Sequence, residues 1–123
     1  MKNSGKLLNT FSILIGIFLL IEGIWGLSSD VVFQVFTTNT THAILHIILG
    51  IISIVLGFRK NANEFCFFLG LLLLVVGILR LIPGTSHVII DVLKANEPVA
   101  YMNMALGCVA LFLALTEKKS SGI

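Results

Sequence analysis

Charge is scarce in this chain. Of 123 residues, eight are Lys or Arg and six are Asp or Glu. They form no basic stripe with interleaved aromatics, which removes nucleic acid as a partner. Cysteine is nearly absent. Cys66 and Cys108 lie in apolar surroundings without a CxxC neighbour, so both read as free thiols, and neither a disulfide framework nor a thiolate metal site is expected. There is no GxSxG, HExxH, P-loop, dinucleotide fingerprint or paired-carboxylate arrangement. Nothing therefore argues for an enzyme, a cofactor or a metal.

What is present is apolar surface. Hydrophobic residues make up 57% of the chain and the mean hydropathy is +1.06. A soluble domain of this size could not hide that much. Four nearly uncharged runs, Leu7–Leu27, Thr41–Phe58, Phe65–Ile82 and Pro98–Thr116, are each long enough to cross a hydrocarbon core, which takes ~20 helical residues. The expectation is one all-α membrane domain over residues 1–123, a four-helix bundle with the lipid bilayer as its solvent. Met1–Lys6 and the apolar run behind it imitate a signal peptide. Glu22 and Trp25 inside that run argue instead for a retained helix.

The chain repeats itself. Ala43–Phe58 (AILHIILGIISIVLGF) returns as Ala100–Leu115 (AYMNMALGCVALFLAL), and Phe11–Leu27 returns as Phe65–Leu81. Gly16 falls on Gly70, Gly23 on Gly77, Gly50 on Gly107, His46 on Asn103, and Asn39 on Asn96. A tandem duplication of a two-span unit is read from this, with repeat one at 7–60 and repeat two at 65–119. Two spans per repeat give both halves the same topology, related by an axis along the membrane normal.

Small residues seven apart mark every span: Gly16/Gly23, Gly50/Gly57, Gly70/Gly77 and Gly107/Ala114. Seven residues is two turns of an under-wound helix, so each pair makes one stripe. Lipid supplies no hydrophobic drive between helices, and close approach at small residues replaces it. A left-handed antiparallel bundle is predicted.

Between paired spans, Val31–Asn39 matches Val88–Asn96. Both have apolar residues at helical spacing, which predicts two short interfacial helices. The alternative is extended chain, since VVFQVF is β-branched and aromatic. An open strand edge in lipid argues against it. Asn39 and Asn96 then stand as N-caps of spans two and four. Asn39-Thr40-Thr41 is also a glycosylation sequon, but the cap is the better account.

Lys2, Lys6, Arg59, Lys60, Lys118 and Lys119 fall at one end of the bundle. Arg80 and Lys94 fall at the other, with Asp30, Asp91 and Glu97. The positive-inside bias places both termini in the cytoplasm of a multi-pass cell-membrane protein.

Glu22, His46, Arg80 and Asn103 give each span one polar group at similar depth. Such residues usually face the bundle interior and pair, so an intramembrane polar cluster is expected, with Glu22 and Arg80 as its ion pair. The competing reading has Arg80 snorkelling to headgroups. His42 and His46, at i and i+4, are half of a metal or haem site without its other half.

The layout resembles the small prokaryotic membrane proteins grouped as domain of unknown function number 4383. These have four spans and a polar-x-x-x-His-x-x-x-Gly pattern opening a helix. Here the pattern is His42-Ala-Ile-Leu-His46-Ile-Ile-Leu-Gly50, with the Gly16–Gly23 helix before it. Span four departs from it with Asn103. The resemblance implies the fold and no activity. A looser resemblance is to DoxX-type four-helix membrane proteins, some linked to redox systems, although quinone or haem ligands are not found here. Two functions follow. The first is a non-enzymatic structural protein, a homo-oligomer or a subunit of a larger membrane complex. The second is a small-solute or proton carrier built on the polar layer.

Overall fold

The computed structural model describes residues 5–121, with side chains as far as residue 116. Lys2 and the side chains of Lys118 and Lys119 lie outside the described residues. Helix α1 spans Lys6–Ser28, α2 Thr40–Phe58, α3 Asn63–Leu81 and α5 Glu97–Ser121. All four are long and apolar enough to cross a membrane, as in a multi-pass membrane protein. Between them lie a two-stranded hairpin, β1 (Val31–Val32) and β2 (Phe36–Thr37), and the short helix α4 (Ser86–Leu93). The hairpin and α4 mark what we call the connector end of the bundle. The α2–α3 loop marks the terminal end.

Helix α1 packs chiefly on α2, and α3 on α5. Glycine sets both contacts. A Cβ on Gly16 would fall 2.7 Å from Gly50 O, and one on Gly50 would fall 2.7 Å from Gly16 O. At the matched positions, a Cβ on Gly70 would fall 2.9 Å from Gly107 O, and one on Gly107 would fall 2.7 Å from Gly70 O. Backbone meets backbone at both crossings, and any side chain would force the helices apart. Gly23 meets Ala43 and Ile47, while Gly77 meets Ala100 and Met104. The order of these contacts makes both pairs antiparallel. Gly57 lies against Asn9 and Ile13, and Ala114 is buried with Leu8, Ala62 and Cys66. The two pairs join through α1 and α3, where Ile15, Leu19, Leu69 and Leu73 form a buried layer.

The connectors differ from each other. Residues 86–93 form the expected helix, but residues 31–37 form a hairpin, with Val31 opposite Thr37 and Val32 opposite Phe36. Phe33 and Gln34 take φ of 55° and 60°, and Val35 N donates to Val32 O at 3.2 Å. Left-handed backbone costs a non-glycine residue about 1–2 kcal/mol. Aromatic packing offsets it, because the Phe33 ring stacks on Phe18 at 5.8 Å and meets Trp25 edge-on at 4.9 Å. Extended chain is tolerated at this depth because its polar groups are paired. Thr38 N donates to Asp30 O, and the Val35 carbonyl accepts from Asn96 Nδ2 at 2.8 Å. Both connectors still bury the matched residue, Val32 in one and Ile89 in the other.

The caps of α2 and α5 are asparagines. Asn39 Oδ1 accepts from His42 N at 2.8 Å, and Asn96 Oδ1 accepts from Val99 N at 3.1 Å. Asn39 Nδ2 donates to Val92 O at 2.8 Å, so both ends of this sequon asparagine are engaged inside the fold.

Candidate polar site within the bundle

Gly23 stands beside Glu22, and Ile47 stands beside His46. A Cβ on Gly23 would lie 2.7 Å from Ala43 O and 2.9 Å from Ile47 N. This close approach lets two short side chains meet. His46 Nδ1 lies 3.3 Å from Glu22 Oε1, with the side chains only 9% and 4% exposed. The two groups are close but not aligned, and Glu22 Oε1 accepts no hydrogen bond. A lone buried carboxylate is costly, and the imidazole of His46 is the group close enough to offset that cost.

His42 extends the site by one turn. Its ring meets that of His46 edge to face, with centroids 4.2 Å apart. His42 Nδ1 lies 3.2 Å from Leu93 O. A carbonyl oxygen can only accept, so this nitrogen carries the proton and Nε2 is left as an acceptor when the ring is neutral. Asn103 of α5 is 3% exposed and lines a groove together with His42 and His46. Its Oδ1 has no partner. The reason is in the matched positions: Asn103 corresponds to His46, and Val76 stands where Glu22 would be.

Arg80 does not pair with Glu22. Its Nε donates to Ala95 O at 2.6 Å, beyond the end of α3. It lines a separate cavity of about 390 Å³ at the connector end, with Asp30, Thr37, Thr38, Lys94 and Asn96. Geometry accounts for the change of partner. The intimate helix contacts lie within each half, so Glu22 meets the residue facing it on α2 and not the charge on α3. A second cavity, of about 10 Å³, shares Thr37 and Thr38 with the first and reaches Glu22, His42 and His46.

Ser12 and Ser53 form a second polar contact, nearer the terminal end, that the sequence reading did not single out. Both are wholly buried between α1 and α2. Ser12 Oγ donates to Ser53 O at 2.7 Å, and Ser53 Oγ donates to Ser12 O at 2.6 Å. The hydroxyls hold two protons, so this reciprocal pair uses both. Seven-residue spacing of small side chains singles out glycine and passes over serine, which can fill the same role. Among the described residues no group of three or more His, Cys, Asp or Glu could hold a metal ion.

Neither the curated proteins nor the solved structures include a match to this chain. The family model described as Domain of unknown function (DUF4383) matches residues 9–116. That span takes in α2 and α3 whole, most of α1 and α5, the glycine contacts and the Glu22–His46 pair, and the chain belongs to the DUF4383 family.

Proposed function

We propose that this is a cell-membrane protein that works by binding rather than catalysis, and that its working centre is the Glu22–His46 pair. The pair takes up a proton or a small polar solute from the connector side. The observation that carries this reading is a carboxyl group 4% exposed, 3.3 Å from an imidazole, with an oxygen that accepts no hydrogen bond. Intramembrane ionisable residues are costly and mark functional sites by default. Access is consistent with it, because the connector-end cavity and the one beside Glu22 share Thr37 and Thr38.

Full carriage across the membrane has less support. Below the pair, the layer of Ile15, Leu19, Leu69 and Leu73 is closed, and a carrier would have to part it. Self-association is also less favoured, because the small-residue stripes lie on contacts inside the chain. Leu, Ile, Val and Phe are left outside, a surface suited to lipid tails. We further propose that the two halves descend from a duplicated two-span unit and that both termini are cytoplasmic.

Infrared difference spectroscopy across a pH step tests the central reading. Wild-type protein should show a carboxyl band that Glu22→Gln removes and His46→Gln displaces. A spectrum unchanged by both substitutions would mean that the pair takes up no proton, and the proton reading would be abandoned.

A further inference from the structure

The groove that Asn103 lines runs between α2 and α3, the least closely packed neighbours among the four spans. It has a volume of about 70 Å³, and its walls include Leu45, Leu49, Leu72 and Val76. Leu45 is 44% exposed, so one wall of the groove reaches the apolar outer surface of the bundle, the surface suited to lipid tails. Its inner end is polar. Asn103 is almost fully buried with an unpartnered Oδ1. His42 has its Nδ1 proton engaged by Leu93 O.

We propose that this groove is a lateral binding site for a lipid-soluble molecule with a single hydroxyl head, which enters between α2 and α3 and places the hydroxyl against Asn103. Three features select that chemistry. The walls are apolar and face the bilayer, so the body of the ligand is a hydrocarbon. A carboxamide both donates and accepts, as a hydroxyl does. A charged head would meet no free counter-charge in a low-dielectric site. The asymmetry of the halves makes the site. Val76 leaves Asn103 without the partner that Glu22 supplies to His46.

The groove is a site separate from the Glu22–His46 centre and shares only His42 and His46 with its surroundings, so the test must separate the two. The probes are a long-chain alcohol carrying a diazirine and the methyl ether of the same molecule, photolysed with the protein in phosphatidylcholine nanodiscs and mapped by mass spectrometry. The alcohol should label the α2 and α3 walls about fivefold more than the ether, the worth of one hydrogen bond. Asn103→Leu should bring the alcohol down to the level of the ether. Val76→Phe, which fills the groove from the opposite wall, should abolish labelling there. Glu22→Gln should leave it intact. Equal labelling by alcohol and ether in the wild type would overturn the proposal. So would undiminished alcohol labelling in a folded Asn103→Leu variant or, if that variant does not fold, in Val76→Phe. A silent infrared spectrum alongside selective alcohol labelling would remove the proton site and leave the groove standing.

Discussion

Asn39 and Asn96 perform the same two tasks and exchange partners in doing so. Each caps its own helix through Oδ1, and each donates Nδ2 to a backbone carbonyl of the other half, Asn39 to Val92 O and Asn96 to Val35 O, both at 2.8 Å. The carbonyls themselves occupy matched positions, one in α4 and one in the hairpin. Each asparagine therefore couples the start of a membrane helix to the connector of the opposite half.

Replacing either asparagine with alanine removes a cap and a tertiary hydrogen bond. Each substitution should cost about 2 kcal/mol, the sum of a typical cap and a typical net hydrogen bond. Asn39→Asp keeps the cap oxygen and loses only the Nδ2 donor, so it should cost less than Asn39→Ala. Thermal unfolding in mild detergent measures this. Equal losses for Asp and Ala would show that the cap oxygen contributes nothing, and an Asn39→Asp variant as stable as the wild type would show the same of the bond to Val92.

Glu22 should couple energetically to His46 and not to Arg80. A double-mutant cycle of Glu22→Gln with His46→Gln should give an interaction energy of about 0.5–3 kcal/mol. The cycle of Glu22→Gln with Arg80→Gln should be additive. Coupling of Glu22 to Arg80 alone would contradict the observed pairing.

The glycine crossings should not tolerate even one methyl group. Gly16→Ala and Gly50→Ala place a Cβ 2.7 Å from a backbone oxygen, and backbone cannot swing aside. A loss of about 1–3 kcal/mol is expected for each. A Cβ on Gly84 would meet no atom within 4 Å, and its φ is not positive, so Gly84→Ala should be close to neutral. Similar melting temperatures for all three would refute the packing account.

The serine pair can be tested by copying the other half. Ser12 and Ser53 correspond to Cys66 and Ala110, which are both buried. Ser53→Ala alone removes the bond to Ser12 O, although the Ser12 hydroxyl keeps the carbonyl of residue 53, and should cost about 1 kcal/mol, in the range of interhelical hydrogen bonds in membranes. The double variant Ser12→Cys, Ser53→Ala reproduces the apolar arrangement and should recover most of it. A double variant worse than the single one would show that the two sites are not interchangeable.

Orientation is tested in a Cys66→Ala, Cys108→Ala background. Cysteine at Gln34 should react with an impermeant thiol reagent in intact cells, and cysteine at Asn61 should not. The reverse pattern would place the termini outside.

The four spans, the caps and the glycine contacts are legible in the sequence because each depends on spacing along one helix. Hydrophobic length gives the spans, and seven-residue spacing gives the stripe. Pairing across helices is less legible. Charge complementarity suggests Glu22 with Arg80, but which helices touch is decided by glycine contacts that operate within each half. Once Gly23 is seated against Ala43 and Ile47, Glu22 can only face His46. The first connector departs from expectation for a related reason. A strand in lipid is excluded only when its edges are unpaired, and the group that satisfies Val35 O comes from Asn96, sixty-one residues along the chain.

Every backbone-to-backbone crossing joins spans that leave the ribosome in succession, α1 with α2 and then α3 with α5. Contacts local in sequence form early and quickly. The first helical hairpin can thus close in the membrane while the second is still being synthesised. The Ile15–Leu73 layer, the Leu8–Ala114 cluster, the His42–Leu93 contact and the exchanged asparagine bonds must wait for the second half. Biogenesis becomes a docking of two finished pieces, and a chain severed in the α2–α3 loop and produced as two polypeptides keeps every glycine crossing within one piece or the other.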